Sequence, residues 1–293
     1  MTVQILKEKN RYLVFLLPML VLFTFVTIFP LLYELWLSFR SYNIARPWYP
    51  SGWVGLKNFY EILTDPQFWN SLRITLTFVI AAVTVEFFFG LFIALLFGKD
   101  DRSRGKYIAR TLIMSSMVLP ALSVGMIWRY LLSDAFGAVA IWLKNIGLEF
   151  GWYGDPKTAL FTMIFIDVWQ WTPFVFLIML AGIVSLPTEV FEAAEIDGAS
   201  KWKMFTRLTL PLLKPVIIVA LLLRMLEAFK IFDMIWMLTK GGPAYATEVI
   251  GVRIYIQAFT SFNMGYAAAL ALILLAFSIG ITIAFIRISK FEI

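Results

Sequence analysis

Cysteine and histidine are both missing from the 293 residues. Without cysteine there is no disulfide framework, no thiol nucleophile and no thiolate metal site. Without histidine the commonest general base, proton shuttle and metal ligand is gone. Charge is scarce as well, at 15% of residues against roughly 25% in soluble domains. No G-x-x-x-x-G-K-[ST] occurs, so the chain has no loop of that kind to cradle nucleotide phosphates. Low-complexity tracts, heptad arrays and a clear internal repeat are also lacking. What remains is apolar: 61% of residues, against roughly 45–50% in soluble chains, with a mean hydropathy of +0.82. A soluble fold of this size cannot hide that much apolar surface from water, so the surplus faces lipid. The net charge of +6 then reads as basic loops retained on the cytoplasmic side, not as a nucleic-acid footprint.

A spanning helix needs about 20 apolar residues, because each rises about 1.5 Å across about 30 Å of hydrocarbon. Six stretches qualify: 12–37, 74–97, 111–132, 158–186, 215–239 and 264–286. The first is free of charge from Tyr12 to Leu32, too long for a signal peptide and without a small-residue cleavage site, so it is expected to stay as a helix. Within the others, Glu86, Arg129 and Asp167 interrupt the apolar run singly, and the fifth carries Arg224, Glu227, Lys230 and Asp233. With the N-terminus inside, the inner segments hold Lys7, Lys9 and Arg11, the dense run from Lys99 to Lys106, Lys201, Lys203, Arg207 and Lys214, and Arg287 and Lys290. The excess of Lys and Arg favours N-in, C-in. Trp36, Trp48, Trp53, Trp142 and Trp152 fall on the outer side, where aromatic belts sit. The expected architecture is an all-α integral membrane protein, one transmembrane domain over 1–293 with six spans.

Between the fourth and fifth spans, residues 187–211 read as two short helices. Pro187 and Thr188 start the first, with Glu189 and Glu192 in its early turns where acids suit the helix dipole. Gly198 stands where a left-handed C-terminal cap is wanted, and Ser200 can cap the second helix. That second helix is expected to stop at Leu210, because Pro211 disfavours helical geometry just before it. Val190, Ala193 and Ala194 form one apolar flank, and Trp202, Phe205 and Leu208 another. Such an elbow on the cytoplasmic side has the makings of a docking surface.

Glu192-Ala193-Ala194, three residues, Gly198, nine residues, then Leu208-Thr209-Leu210-Pro211 resembles the EAA loop of permease subunits in binding-protein-dependent ABC importers. Leu208 stands where that family usually has Ile. At average residue frequencies a chance match at the fixed positions is about one in a million per starting point. Gly55-Leu-Lys-Asn-Phe59, Asp65-Pro-Gln-Phe-Trp69, Phe229-Lys-Ile-Phe-Asp233 and Leu238-Thr-Lys-Gly-Gly-Pro243 are similar to carbohydrate-uptake permeases of the maltose, trehalose and glycerol-phosphate type. The resemblance covers nearly the whole chain, without the large external insertion of some maltose permeases. It implies an ABC type I importer permease fold paired with a second, related permease. It also implies two copies of a cytoplasmic ATPase that bind ATP and Mg, and an external solute-binding protein that delivers a sugar. This chain itself would bind no cofactor and catalyse no reaction. Glu192, Ala193, Ala194, Asp197, Gly198, Leu210 and Pro211 become the residues expected to couple to the ATPase.

The second candidate site lies in the membrane. A charge at mid-bilayer costs about 2.5–3.5 kcal/mol on insertion scales, so the fifth span cannot face lipid with four of them. Arg224, Glu227, Lys230 and Asp233 recur every three residues with alternating sign, which sets opposite charges side by side on a helix. They either neutralise one another or line an aqueous path to sugar hydroxyls. Asp167, Trp169 and Gln170 in the fourth span, beside Trp171, suit a sugar: polar groups for hydroxyls and a flat ring for its apolar face. Glu86 and Glu34 are expected in packing or partner contacts, and the Thr239–Pro243 turn ends a helix or touches the delivery protein. Two other classes compete. An ion-coupled secondary transporter could use the fifth-span charges as a relay, but the chain lacks the repeat such proteins carry. An intramembrane enzyme using Asp167 and Asp233 has no accompanying motif.

Overall fold

The structure, a computed structural model, describes residues 15–46, 48, 52–98, 104–148 and 150–289. The N-terminal Lys7, Lys9 and Arg11, the start of the Lys99–Lys106 run, and Lys290 lie outside them. In chain order the helices are α1 (Phe15–Ser38), α2 (Lys57–Thr64), α3 (Pro66–Phe97), α4 (Arg104–Val118), α5 (Ala121–Leu131) and α6 (Ala138–Asn145). Then follow α7 (Pro156–Val184), α8 (Thr188–Ile196), α9 (Lys201–Phe229), α10 (Asp233–Leu238), α11 (Ile250–Tyr255) and α12 (Met264–Ser289). Among the described residues there is no β-strand, only two isolated bridges. Helices α1, α3, α7, α9 and α12 are each long and apolar enough to cross a membrane.

Two of the expected spans are not single rods. The stretch 111–132 falls on α4 and α5, which meet at a bend of 97° around Leu119-Pro120; counted as one broken span, the pair brings the total to six. Pro120 accounts for the turn, since a proline expels the preceding residue from helical geometry. The stretch 215–239 is also interrupted: α9 ends at Phe229 and α10 begins at Asp233. No proline or glycine marks this second break, so the sequence carries no local signal for it.

The chain divides into two compact units. The first runs to Pro66 and includes Ile254–Leu275. Its α1 has no buried residue in its most apolar window, consistent with a lipid-facing rod. The Gly55–Phe59 motif has a structural role: buried Asn58 donates from Nδ2 to the carbonyls of Ser38 (2.7 Å) and Arg40 (3.0 Å), satisfying the end of α1. Beside it, Phe39 stacks on Trp53 at 5.3 Å, and Tyr266 donates its hydroxyl to Asp65 Oδ2 at 3.1 Å.

The second unit, Gln67–Arg253 with Ala276 onward, holds the main core. Leu91 and Ala94 of α3, Val175, Phe176 and Met179 of α7, and Leu213 and Ala220 of α9 form one buried cluster. Lipid is as apolar as leucine, so helices in a membrane associate by close van der Waals packing rather than by expelling water. Gly90 shows this, because a Cβ there would lie 2.8 Å from Val175 Cβ and 2.9 Å from the Phe176 nitrogen.

The elbow forms as expected at its hinge. The Gly198 amide donates to the Glu195 carbonyl (3.0 Å) and that of Ala199 to Ala194 (2.9 Å), a Schellman cap with Gly198 at φ +74°. The Ser200 hydroxyl accepts from the Lys203 amide at 3.4 Å. The second arm, however, does not stop at Leu210. It continues through Pro211 into α9, after a wide π-turn at Phe205–Thr209. There the Leu210 amide reaches back five residues to the Phe205 carbonyl. This rephasing opens the ladder where the proline ring would otherwise meet the carbonyl four residues earlier.

Candidate functional site

Helix α9 carries Arg224 into the second unit's interior, where it is 1% exposed. Its Nε donates to Glu86 Oε2 at 2.5 Å and its Nη2 to Glu86 Oε1 at 2.9 Å, a bidentate pair across α3 and α9. The same Nη2 donates to Asp167 Oδ2 of α7. The Trp171 ring, also on α7, lies 5.3 Å from the guanidinium carbon. One arginine therefore joins three helices, and its two carboxylates carry more charge than it does. Ion groups taken out of water need close, well-directed partners, and here Nε and Nη2 of the guanidinium meet both Glu86 oxygens and Asp167 Oδ2.

The alternation expected along the fifth span is only partly realised. Glu227 and Lys230 do pair, at 3.0 Å, with both side chains more than half exposed. Arg224 turns to Glu86 and Asp167 instead, and Asp233 lies beyond the break as the first residue of α10. A repeat of three places charges on one stripe only while the helix persists, and this one ends at Phe229.

That break opens a cavity of 120 Å³, well above the ~10–15 Å³ one water needs but below the ~300–1,000 Å³ that encloses a whole ligand. Asp167, Gln170, Arg224, Glu227, Lys230 and Asp233 all line it, together with Trp171. Gln170 has a second task, since its Nε2 donates to the Leu119 carbonyl at 3.0 Å and fixes the bend between α4 and α5. Trp169 is not among the lining residues. It points away, meets Trp128 edge to face at 5.4 Å, and borders an apolar groove between α3, α4 and α7. Residues two apart on a helix differ by about 200° around it, so Trp169 and Trp171 face opposite ways.

The cavity's far wall is α10, packed on α5 at close range. A Cβ on Gly125 would sit 2.5 Å from the Met234 carbonyl oxygen. Arg129 Nη1 donates to the Met237 carbonyl at 3.1 Å, capping the short helix. Sequence reasoning placed Glu86 in a packing or partner contact, as found, but did not name Arg224 as its partner, although a lone acid in an apolar run is itself a sign of a buried one. It also missed Glu248, 2% exposed, which accepts from Gln67 Nε2 (3.1 Å), Ser71 Oγ (3.0 Å) and Arg253 Nη1 (3.1 Å). This cluster ties the start of α3 to α11, next to the Thr239–Pro243 turn, where Thr239 and Thr247 share a 2.7 Å hydroxyl contact.

Of the coupling residues, Glu192, Ala193, Asp197 and Gly198 are exposed, and Pro211 is exposed within α9. Ala194 is half-buried, and Leu210 is half-buried against the α3–α7–α9 core. The elbow's apolar edge is open: Ile196 is 87% and Trp202 72% exposed.

Known proteins share both sequence and fold with this chain. The trehalose/maltose transport system permease protein MalF of Thermococcus litoralis is 33% identical over 98% of this chain and 95% of its own length. The trehalose transport system permease protein SugA of Mycobacterium tuberculosis is 34% identical over 97% of this chain and 90% of its own. A solved bacterial alginate ABC transporter, in complex with an alginate pentasaccharide-bound periplasmic protein, contains a chain of the same fold. Its TM-score is 0.84 at 22% identity, covering 99% of both chains. Residues 86–290, from the triad's Glu86 through the elbow to the end of α12, match the family described as the binding-protein-dependent transport system inner membrane component. The chain therefore belongs to that family of multi-pass ABC importer permeases of prokaryotic membranes.

Proposed function

We propose that the chain is the translocation subunit through which a sugar or sugar-like solute enters the cytoplasm by alternating access. A maltose-, trehalose- or glycerol-phosphate-type solute would be delivered by an extracytoplasmic solute-binding protein. A second related permease completes the path, and two ATPase subunits drive it with ATP and Mg. Orientation is N-in and C-in, so the elbow faces the ATPases. The names of the trehalose and maltose permeases that it resembles along nearly their whole length support the substrate class.

The observation that carries the coupling role is the elbow's form. A short arm, α8, and the start of the long α9 meet at a glycine that holds φ +74° with nothing within 4 Å of its missing Cβ. Open space on a left-handed glycine hinge suits insertion into a partner's groove, with Glu192 presented to a basic site and Ala193 allowing close approach. Continuity of the second arm with α9 gives motion at the elbow a rigid lever, and α9 carries Arg224 and Glu227 to the cavity. There Gln170 and the carboxylates would meet hydroxyls and Trp171 would cover an apolar sugar face.

The test is Gly198→Leu in the assembled importer, in proteoliposomes. Sugar uptake should fall about tenfold or more while ATP hydrolysis persists, with Gly198→Ala intermediate because left-handed geometry costs a Cβ-bearing residue about 1–2 kcal/mol. Normal uptake by the leucine variant would remove the coupling role.

A further inference from the structure

We infer that the cavity at the α9 break discriminates by charge, so that the path takes uncharged sugars and rejects phosphorylated or carboxylated ones. This rests on the proposed function, in which the cavity belongs to the solute path, and narrows it to one chemical class. Two cations line the cavity, and in many proteins an arginine and a lysine in a polar cleft mark an anion receptor. Here each already has an acidic partner. Arg224 is almost wholly buried and matched twice, by Glu86 and by Asp167. Lys230 is matched by Glu227 at 3.0 Å. Asp233 is exposed at the mouth of α10 with no ion pair among the described residues.

The lining thus holds three carboxylates, Asp167, Glu227 and Asp233, against the two cations. Glu86, directly behind Arg224, adds a fourth. A proton shared within the buried triad would lessen the excess without releasing a cation. An anionic solute entering this space meets an excess of carboxylates, and each positive group it could reach sits beside one of them. Hydroxyls meet none of that penalty, because they can donate to the carboxylates and accept from Gln170. The space admits one end of a solute, so the discrimination falls on whichever sugar end leads. Charge arranged in this way governs selection more than it governs tightness.

The test uses the permease pair with its ATPases, purified without the solute-binding protein so that delivery does not filter the solute. Equilibrium binding of radiolabelled trehalose and maltose is measured, with trehalose 6-phosphate as competitor. The phosphate ester should compete about tenfold or more weakly than unlabelled trehalose. Asp233→Lys should shrink that ratio to about threefold or less, and the milder Asp233→Asn should move it part of the way. Because the ratio is read within each protein, a general loss of affinity does not enter. Equal competition by ester and sugar in the unaltered protein overturns charge selection and leaves the sugar path standing. An unchanged ratio in both variants overturns its assignment to this cavity. Failure of either sugar to bind removes the path reading, and this inference with it.

Discussion

Replacing Arg224 with methionine deletes the only cation, among the described residues, that Glu86 and Asp167 contact within hydrogen-bond distance. Methionine keeps most of the side chain's volume, so the change is one of charge rather than of packing. The two carboxylates left behind are 0% and 2% exposed, so both are largely withdrawn from solvent. Breaking a buried pair from one side costs about 3–5 kcal/mol, a large share of the ~5–15 kcal/mol that holds most folds together. At about 2–4 °C per kcal/mol for chains of comparable size, the unfolding midpoint should drop by roughly 6–20 °C. Glu86→Gln is a smaller insult, about 1–2 kcal/mol, because Arg224 and Asp167 remain as a neutral pair. Most telling is the triple change Arg224→Met, Glu86→Gln, Asp167→Asn. Its groups are all uncharged, and a buried amide costs less than a buried carboxylate left without its cation. The triple variant should recover most of the midpoint lost by Arg224→Met. The assay is thermal unfolding in nanodiscs followed by tryptophan fluorescence. A single variant unfolding within about 2 °C of the unaltered protein, or a triple variant no better than the single, would refute the electrostatic argument.

Three further expectations follow from the same geometry. Glu248→Ala removes the acceptor that gathers Gln67, Ser71 and Arg253 and should cost about 1–3 kcal/mol, read as a fall in the unfolding midpoint. Gly125→Val drives a side chain into the Met234 carbonyl, so overpacking of about 1–3 kcal/mol should loosen α10 and raise amide exchange from Asp233 to Leu238. For Glu227 and Lys230, both well exposed, a double-mutant cycle on stability should give a coupling below about 1 kcal/mol. If uptake falls severely in either single variant, their importance lies with the solute rather than the fold.

Parts of this were legible in the residues alone. Hydropathy located the long apolar helices because burial in lipid imposes a length that can be counted. Gly198 was legible because a left-handed cap has few acceptable residues. Asp167, Gln170, Arg224, Glu227, Lys230 and Asp233 stand out in the sequence because membrane interiors tolerate polar groups only where something answers them, and the structure brings these six to one cavity. The alternating charges misled, since their spacing is informative only on an unbroken helix, and the break at Lys230 has no proline or glycine to announce it. Pro211 misled in the other direction, its clash relieved by a π-turn that depends on the packed elbow.

The sequence by itself determined that this chain lives in a bilayer, that its long apolar segments are largely helical, and where the elbow's hinge must lie, because each follows from local composition and backbone sterics. Only the tertiary structure decided which charges meet. Glu86, Asp167 and Arg224 are 57 to 138 residues apart in the chain, and no local rule pairs them. Their union depends on three helices packing closely enough for one guanidinium to reach two carboxylates. It likewise decided that Trp171 rather than Trp169 faces the cavity, since rotation of a helix about its axis is fixed by its neighbours.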